Sequence, residues 1–312
     1  MMKSSNRKLS RPQPEPPPET WRHSALYQRV REAVFSVPLH FQTETQIEGI
    51  SATDIFTLNT ALGATIEEQV VDTLNRIRSV WDPDEEYSLY GFVRQAQRFP
   101  DVVLRKLSEE DNNSDIIMGI ELKGWYLISK EGEPSFRFNV SASACAPQDL
   151  LVVVPWALKN VLSGPPRLFR PYVQPSRYAA EIRNYYWRHE RDTKADRTIS
   201  GPSQQIKPYP TKDQQIADRP ASDAGGNFGR YYTRCGIMDE YTSRLLQERL
   251  CGIPAKAWLE FFKVFTDAAV GRNVRERIES LRKRFAGSVD AADATTINTF
   301  QAILDIIENH IP

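Results

Sequence analysis

The run LLVVVPWAL, which begins at Leu150, limits the fold more than any other stretch of the chain. It carries no charge and is rich in Val and Leu, yet it falls far short of the roughly 20 residues that cross a bilayer. A short, near-continuous apolar run suits a strand covered on both faces, in the middle of a sheet. The pattern predicts such a buried strand from Leu150 to Val154.

Upstream, FPDVVLRKL and IIMGIELKGWYLIS are two runs with β-branched and aromatic residues, separated by the turn-forming EEDNNSD. This is the signature of a hairpin. On the second strand Ile116, Met118, Ile120 and Leu122 share one face, and Ile117, Gly119, Glu121 and Lys123 share the other. Before the hairpin, ATIEEQVVDTLNRIRSVW places Ile66, Val70, Leu74, Ile77 and Trp81 three or four apart, which predicts an amphipathic helix. Thr65 and Glu68 fit a capping box at its start. At about 100° per residue, Glu67 lies beside the apolar stripe and Glu68 points away from it.

Composition narrows the function. The 312 residues hold 40 Lys+Arg against 40 Asp+Glu, so the chain is not a generally polybasic nucleic-acid binder, although positive charge gathered in a cleft remains open. Charged residues at 26% and a mean hydropathy of −0.49 argue for solubility. No apolar signal-peptide core opens the sequence, which argues against secretion. Cys145, Cys235 and Cys251 are odd in number and widely spaced, against a disulfide framework or a cysteine zinc site and in keeping with a reducing cytoplasm. His23, His40, His189 and His310 have no metal-ligand spacing.

The charged residues of the hairpin carry the chemistry. Glu121 and Lys123 are two apart and converge on one strand face. Asp101 starts the partner strand and is brought toward the same end if the strands pair. Two adjacent carboxylates repel unless a cation lies between them, and hard oxygen ligands suit Mg²⁺. A lysine beside them can position a water or stabilise charge on a phosphate. An acidic-x-Lys triplet alone means little, since about one is expected by chance in a chain of this size. Asp192–Lys194 fits it in a uniformly polar run, and Pro83–Asp84 repeats the Pro-Asp pair in a turn with no strand behind it.

Pro100–Asp101, a hairpin, and then ELK at Glu121–Lys123 within an apolar strand resemble the PD-(D/E)XK nuclease superfamily. Glu67 matches the helix glutamate that often precedes the hairpin in that family, and LLVVVPW matches the continuing sheet. Chain length and the appended C-terminal half are similar to type II restriction endonucleases. The resemblance covers roughly residues 55 to 160. It implies an α/β fold, a restriction-endonuclease-like core with a mixed β-sheet flanked by helices over residues 21–169; the polar, proline-rich residues 1–20 read as a disordered arm. It further implies Mg²⁺-dependent, sequence-specific hydrolysis of double-stranded DNA to 5′-phosphate ends by a homodimer, with a cognate methyltransferase encoded nearby, in a prokaryotic cytoplasm and away from membranes. In those terms Asp101, Glu121 and the Leu122 backbone carbonyl hold the metal, Lys123 orients the attacking water, and Glu67 completes the acidic site. A non-specific, repair or mobile-element nuclease, or a non-catalytic DNA-binding protein, is the alternative.

Residues 170–312 read as a mainly helical recognition or dimerisation region. RYAAEIRNYYWRHERDTKADR is expected to be a helix, with further helices over Pro254–Phe265, Val270–Phe285 and Ala292–His310. Tyr185, Tyr186 and Trp187 read as packing residues, and GGNFG at Gly225–Gly229 as a turn with close backbone approach. Because the nuclease core is not strongly basic, Arg183, Arg188, Arg230 and Arg234 are the expected DNA contacts. The basic faces of VRERIESLRKRF suit solvent or phosphate equally.

Overall fold

The computed structural model of the chain describes residues 10–266 apart from 52–53, 96, 108–114, 224–226 and 231–234, together with residue 279. Its centre is a mixed sheet of six strands: β1 (Tyr90–Arg94), β2 (Val102–Lys106), β3 (Ile116–Tyr126), β4 (Leu150–Leu158), β5 (Pro166–Leu168) and β6 (Tyr172–Pro175). β1, β2 and β3 form an antiparallel meander, and β4 lies parallel to β3. Along the other edge of β4, β6 pairs with Leu150–Val153 and β5 with Trp156–Leu158, so together they act as one interrupted strand. All nine residues of β4 are buried, as its unbroken apolar character demands. The expected hairpin is β2–β3, with its turn at 108–114 outside the described residues. Between Leu104 and Arg105 the register shifts, so Arg105 faces Ile116 and the simple alternation of β3 fails at Ile117, which is buried.

Helix α1 (Ser24–His40) packs against α2 (Leu58–Arg76) and the single turn α3 (Arg78–Trp81), and α2 lies on β1 and β3. The predicted stripe is buried throughout, from Ile66 to Trp81. The predicted start is corrected: α2 begins at Leu58, so Thr65 and Glu68 lie inside it and form no capping box. α2 lies against β3 here: a Cβ on Gly124 would stand 3.9 Å from the Gly63 Cα, in ordinary contact. Farther along, the Asn75 side chain accepts the Phe92 N–H and donates to the Phe92 carbonyl, both at 2.8 Å, tying α2 to β1.

The boundary expected at residue 169 cuts through this sheet, because β6 and α4 (Ser176–Tyr185) belong to it. Ser176 donates its N–H to the Asp149 carbonyl, and α4 packs on β4. After α4 comes a π-helical turn, Tyr186–Glu190, where the predicted helix stops. From there to residue 238 the described chain is irregular apart from the two-residue strands β7 (Ile199–Ser200) and β8 (Arg219–Pro220). Then follow α5 (Asp239–Leu245), β9 (Arg249–Leu250), β10 (Ile253–Pro254) and α6 (Ala255–Thr266). Only α6 matches a predicted C-terminal helix. Those over Val270–Phe285 and Ala292–His310 lie outside the described residues. The N-terminal arm is also corrected in part: residues 10–20 lack regular structure, yet Pro17 is buried and Arg11 pairs with Glu190 at 3.1 Å.

Candidate active site

The site arises where one strand outruns its neighbour. β2 begins at Val102, opposite Ile120, whereas β3 continues to Tyr126 and is paired there only with β4. The N–H groups of Leu122 and Gly124 therefore point past the start of β2 with no strand to receive them. Carboxylates face both. Asp101 Oδ2 accepts the Leu122 N–H at 3.0 Å, and Glu67, reaching over from α2, brings its carboxylate close to the Gly124 N–H. Glu121 lies across from Asp101 and accepts its N–H on Oε2 at 3.2 Å. Lys123 Nζ stands 2.7 Å from Glu121 Oε1 and 3.5 Å from Asp101 Oδ2. Asp101, Glu121, Lys123 and Glu67, far apart in the chain, thus share one cluster. Glu68 turns outward, as its helical position requires, and faces Arg94 at 3.9 Å.

Gln95, Gly119 and Asp149, which the sequence pattern gives no role, hold this arrangement together with Pro100 of the Pro-Asp pair. Gln95 clamps the β1–β2 loop with its backbone N–H on the Asp101 carbonyl at 2.7 Å and its side-chain amide on the Pro100 carbonyl at 2.9 Å. Pro100 rests on β3 at Gly119, where any Cβ would come within 2.2 Å of the proline ring. Asp149, just before β4, is fully buried and accepts the N–H groups of Gly119 and Ala146 at 2.7 Å and the Tyr209 hydroxyl at 3.0 Å. Only neighbours distant in sequence reveal these roles.

Burial raises the Glu121 carboxyl to about 7; Lys123 opposes that rise and Asp101 adds to it. Burial works against the charge of Lys123, but Glu121 and Asp101 outweigh it, so the ammonium is held above its ordinary range. Glu67 is raised by burial and by the charge of Asp101, with Lys123, the Gly124 N–H and Arg94 holding it back. Three carboxylates face one ammonium, and the cluster is not sealed: the Asp101 and Lys123 side chains remain 34% and 21% exposed. Carboxylates whose ionisation is opposed by burial and by one another gain from a small hard cation. Asp101 and Glu121 could supply oxygens to one. The Leu122 carbonyl leaves the strand on the same side as its N–H and could supply a third. Among the described residues no three His, Cys, Asp or Glu side chains group as a ready-made metal cage.

The expected DNA contacts fare unevenly. Arg183 is corrected: it is fully buried, donates to the Phe138 and Val140 carbonyls at 2.6 and 2.9 Å, and pairs with Asp218. It belongs to the inward face of α4 and ties the irregular segment to the core. Arg188 and Arg230 are exposed, and Arg234 lies outside the described residues, as does VRERIESLRKRF apart from Glu279. Trp187 packs edge-on against Phe228, in keeping with a packing role. Gly229 has φ +87°, and a Cβ there would meet Asn139 Oδ1 at 2.0 Å, the close approach expected of the glycine segment. The decoy carboxylates Asp84 and Asp192 are exposed.

No protein-family model matches the chain, and no curated protein sequence matches it either. The fold establishes a mixed α/β sheet flanked by helices, and among the described residues no helix is long and apolar enough to cross a membrane.

Proposed function

We propose that the chain is a metal-dependent nuclease of the PD-(D/E)XK kind, hydrolysing phosphodiesters of double-stranded DNA in the manner of a type II restriction endonuclease. The observation that carries this reading is the convergence of Glu67, Asp101, Glu121 and Lys123 at the one place where β3 outruns β2. Asp101, Glu121 and the Leu122 carbonyl would hold Mg²⁺, which when bound lowers the pKa of a water and offsets phosphate charge. Lys123 stays protonated, so its work is to donate hydrogen bonds to the water and to the oxygen on which charge develops. Glu67, raised by burial, is suited to receive the proton that the attacking water loses.

A homodimer reading a short site, 5′-phosphate products and a partner methyltransferase complete the restriction reading. Incubation of supercoiled plasmid with the protein, with and without Mg²⁺, tests it. Discrete bands that require the metal support the restriction reading, and a smear points to a non-specific nuclease. An intact plasmid under both conditions would leave a DNA-binding protein or none, and the catalytic reading would fall.

A further inference from the structure

We propose that the far edge of the sheet, around Arg167, Arg170 and Arg244, is a docking surface for the phosphate backbone of duplex DNA. The inference rests on the nuclease reading and adds to it where the substrate lies. Arg167 projects outward from β5 between buried Pro166 and Leu168, and Arg170 follows two residues after β5 ends. Arg244 sits on α5, which is bound to the same place because the Tyr241 hydroxyl donates to the Arg170 carbonyl at 2.7 Å. Lys159 joins them at the end of β4, its N–H on the Pro165 carbonyl at 3.0 Å. All four side chains are exposed.

Two features separate this patch from ordinary surface arginines. First, each guanidinium is braced on an aromatic ring: Arg167 over Phe169 at 5.0 Å, Arg170 over Phe35 at 4.7 Å and Arg244 over Tyr241 at 5.7 Å. Second, among the described residues none of the four cations pairs with a carboxylate, and no guanidinium N–H of the three arginines is hydrogen-bonded. Arg11, Arg78, Arg94 and Arg183, in contrast, each have an acidic partner. Cations without counter-charge repel one another, and the ring contacts hold the side chains in place. Such guanidiniums can take phosphate oxygens bidentately, with little rotamer freedom left to lose on binding.

Strand register relates the patch to the catalytic cluster. Lys123 pairs with Val153, Val153 and Ala157 share a face of β4, and Ala157 pairs with Arg167. Arg167 therefore lies on the face that carries Glu121 and Lys123. Four residues along β4 and two strand spacings across give a separation of about 16 Å. At about 3.4 Å per phosphate along one strand, that is roughly half a turn of duplex. One backbone can lie on the arginines while another phosphate sits at the carboxylates, a span that fits a duplex.

The test is metal-free binding of a short fluorescent duplex across a salt series, with the Arg167→Ala/Arg170→Ala double variant, Arg244→Ala, and Lys106→Ala as a charge-loss control at the opposite end of β2. The double variant should bind at least about tenfold more weakly at physiological salt and lose about two units of salt slope, Arg244→Ala about one unit, and the control little. Arg167→Lys/Arg170→Lys should keep most of the slope, which separates lost charge from lost fold, with thermal melting as a second check. If wild type cleaves plasmid and binds duplex while the double variant binds with unchanged affinity and slope, the docking surface is wrong and the nuclease reading survives. If wild type neither cleaves nor binds, both fall. Loss of binding to phosphatidylserine vesicles with duplex binding intact would overturn the proposal in favour of a membrane.

Discussion

Strand β3 meets two sets of carboxylates, and they behave as opposites. On its β4 side, Asp149 stands just before β4 and takes the Gly119 N–H; on its β2 side, Asp101 stands just before β2 and takes the Leu122 N–H. Both are aspartates that finish a ladder where a neighbouring strand has not begun. Asp149 is sealed, with donors on both oxygens and no ion pair among the described residues. Asp101 instead joins Glu121, Glu67 and Lys123 in a partly open cluster with more negative charge than its one ammonium balances. The same local task gives one group whose two oxygens both accept hydrogen bonds inside the protein, and another in a partly open cluster where charge is left for something else to answer.

Substitutions sharpen that contrast, and the largest effect belongs to the open cluster. Asp101→Ala and Glu121→Ala should each abolish plasmid cleavage while duplex affinity stays near that of wild type. Each removes an oxygen for the metal and leaves the cationic surface intact. Cleavage at the wild-type rate in either variant would dissolve the contrast. Lys123→Ala should come next, losing a few powers of ten in single-turnover cleavage with Mg²⁺ affinity retained, since an ammonium has no lone pair to give a metal. Lys123→Arg should not rescue it, because a planar guanidinium does not fit a site shaped around Nζ.

The sealed carboxylate should show up in stability. Asp149→Ala strands two buried N–H groups and the Tyr209 hydroxyl, at a cost of about 3 kcal/mol in urea unfolding. The cleavage rate per folded molecule should stay within about tenfold of wild type. A loss of activity as deep as that of Asp101→Ala, without loss of stability, would place Asp149 in the chemistry. A smaller effect follows from pH. Burial raises the Asp149 carboxyl from 3.8 to about 6, against the hydrogen bonds from Ala146, Tyr209 and Gly119. The folded state then holds this proton more tightly than the unfolded chain. The stability contribution is full below about pH 4 and is lost as pH rises through about 6. Asp149→Ala should therefore be more destabilising at pH 4 than at pH 8, as urea midpoints at the two values would show. Equal penalties at both would mean that its proton is not held by the fold.

Much of the core was legible because it depends on local period. The apolar run at Leu150 could only be a doubly covered strand, and the stripe from Ile66 to Trp81 could only be a buried helix face; both hold. The ELK triplet stood out because two charges in an apolar strand need a reason, and Glu67 was distinguished from Glu68 by the helical turn alone. The start of α2 differs because a capping motif is a local preference of about 1 kcal/mol, and the helix runs through Thr65 from Leu58. Arg183 was misread because an arginine in a polar-looking helix gives no local sign that carbonyls of Phe138 and Val140 wait inside.

By itself, then, the sequence determined the hairpin strands β2 and β3, the buried strand β4 and the apolar face of α2, since those follow from local pattern, but not α1, β1, β5 or β6. Tertiary structure alone decided that β2 starts late enough to leave the Leu122 and Gly124 N–H groups open, and that Glu67 and Asp101 fill the gap. It likewise decided that Gln95 and Gly119 hold the loop before Asp101 and that Asp149 is sealed away from solvent. Those outcomes depend on strand register and on contacts between residues tens of positions apart. Burial and proximity set the charge of a carboxylate, and neither has a period that can be read along the chain.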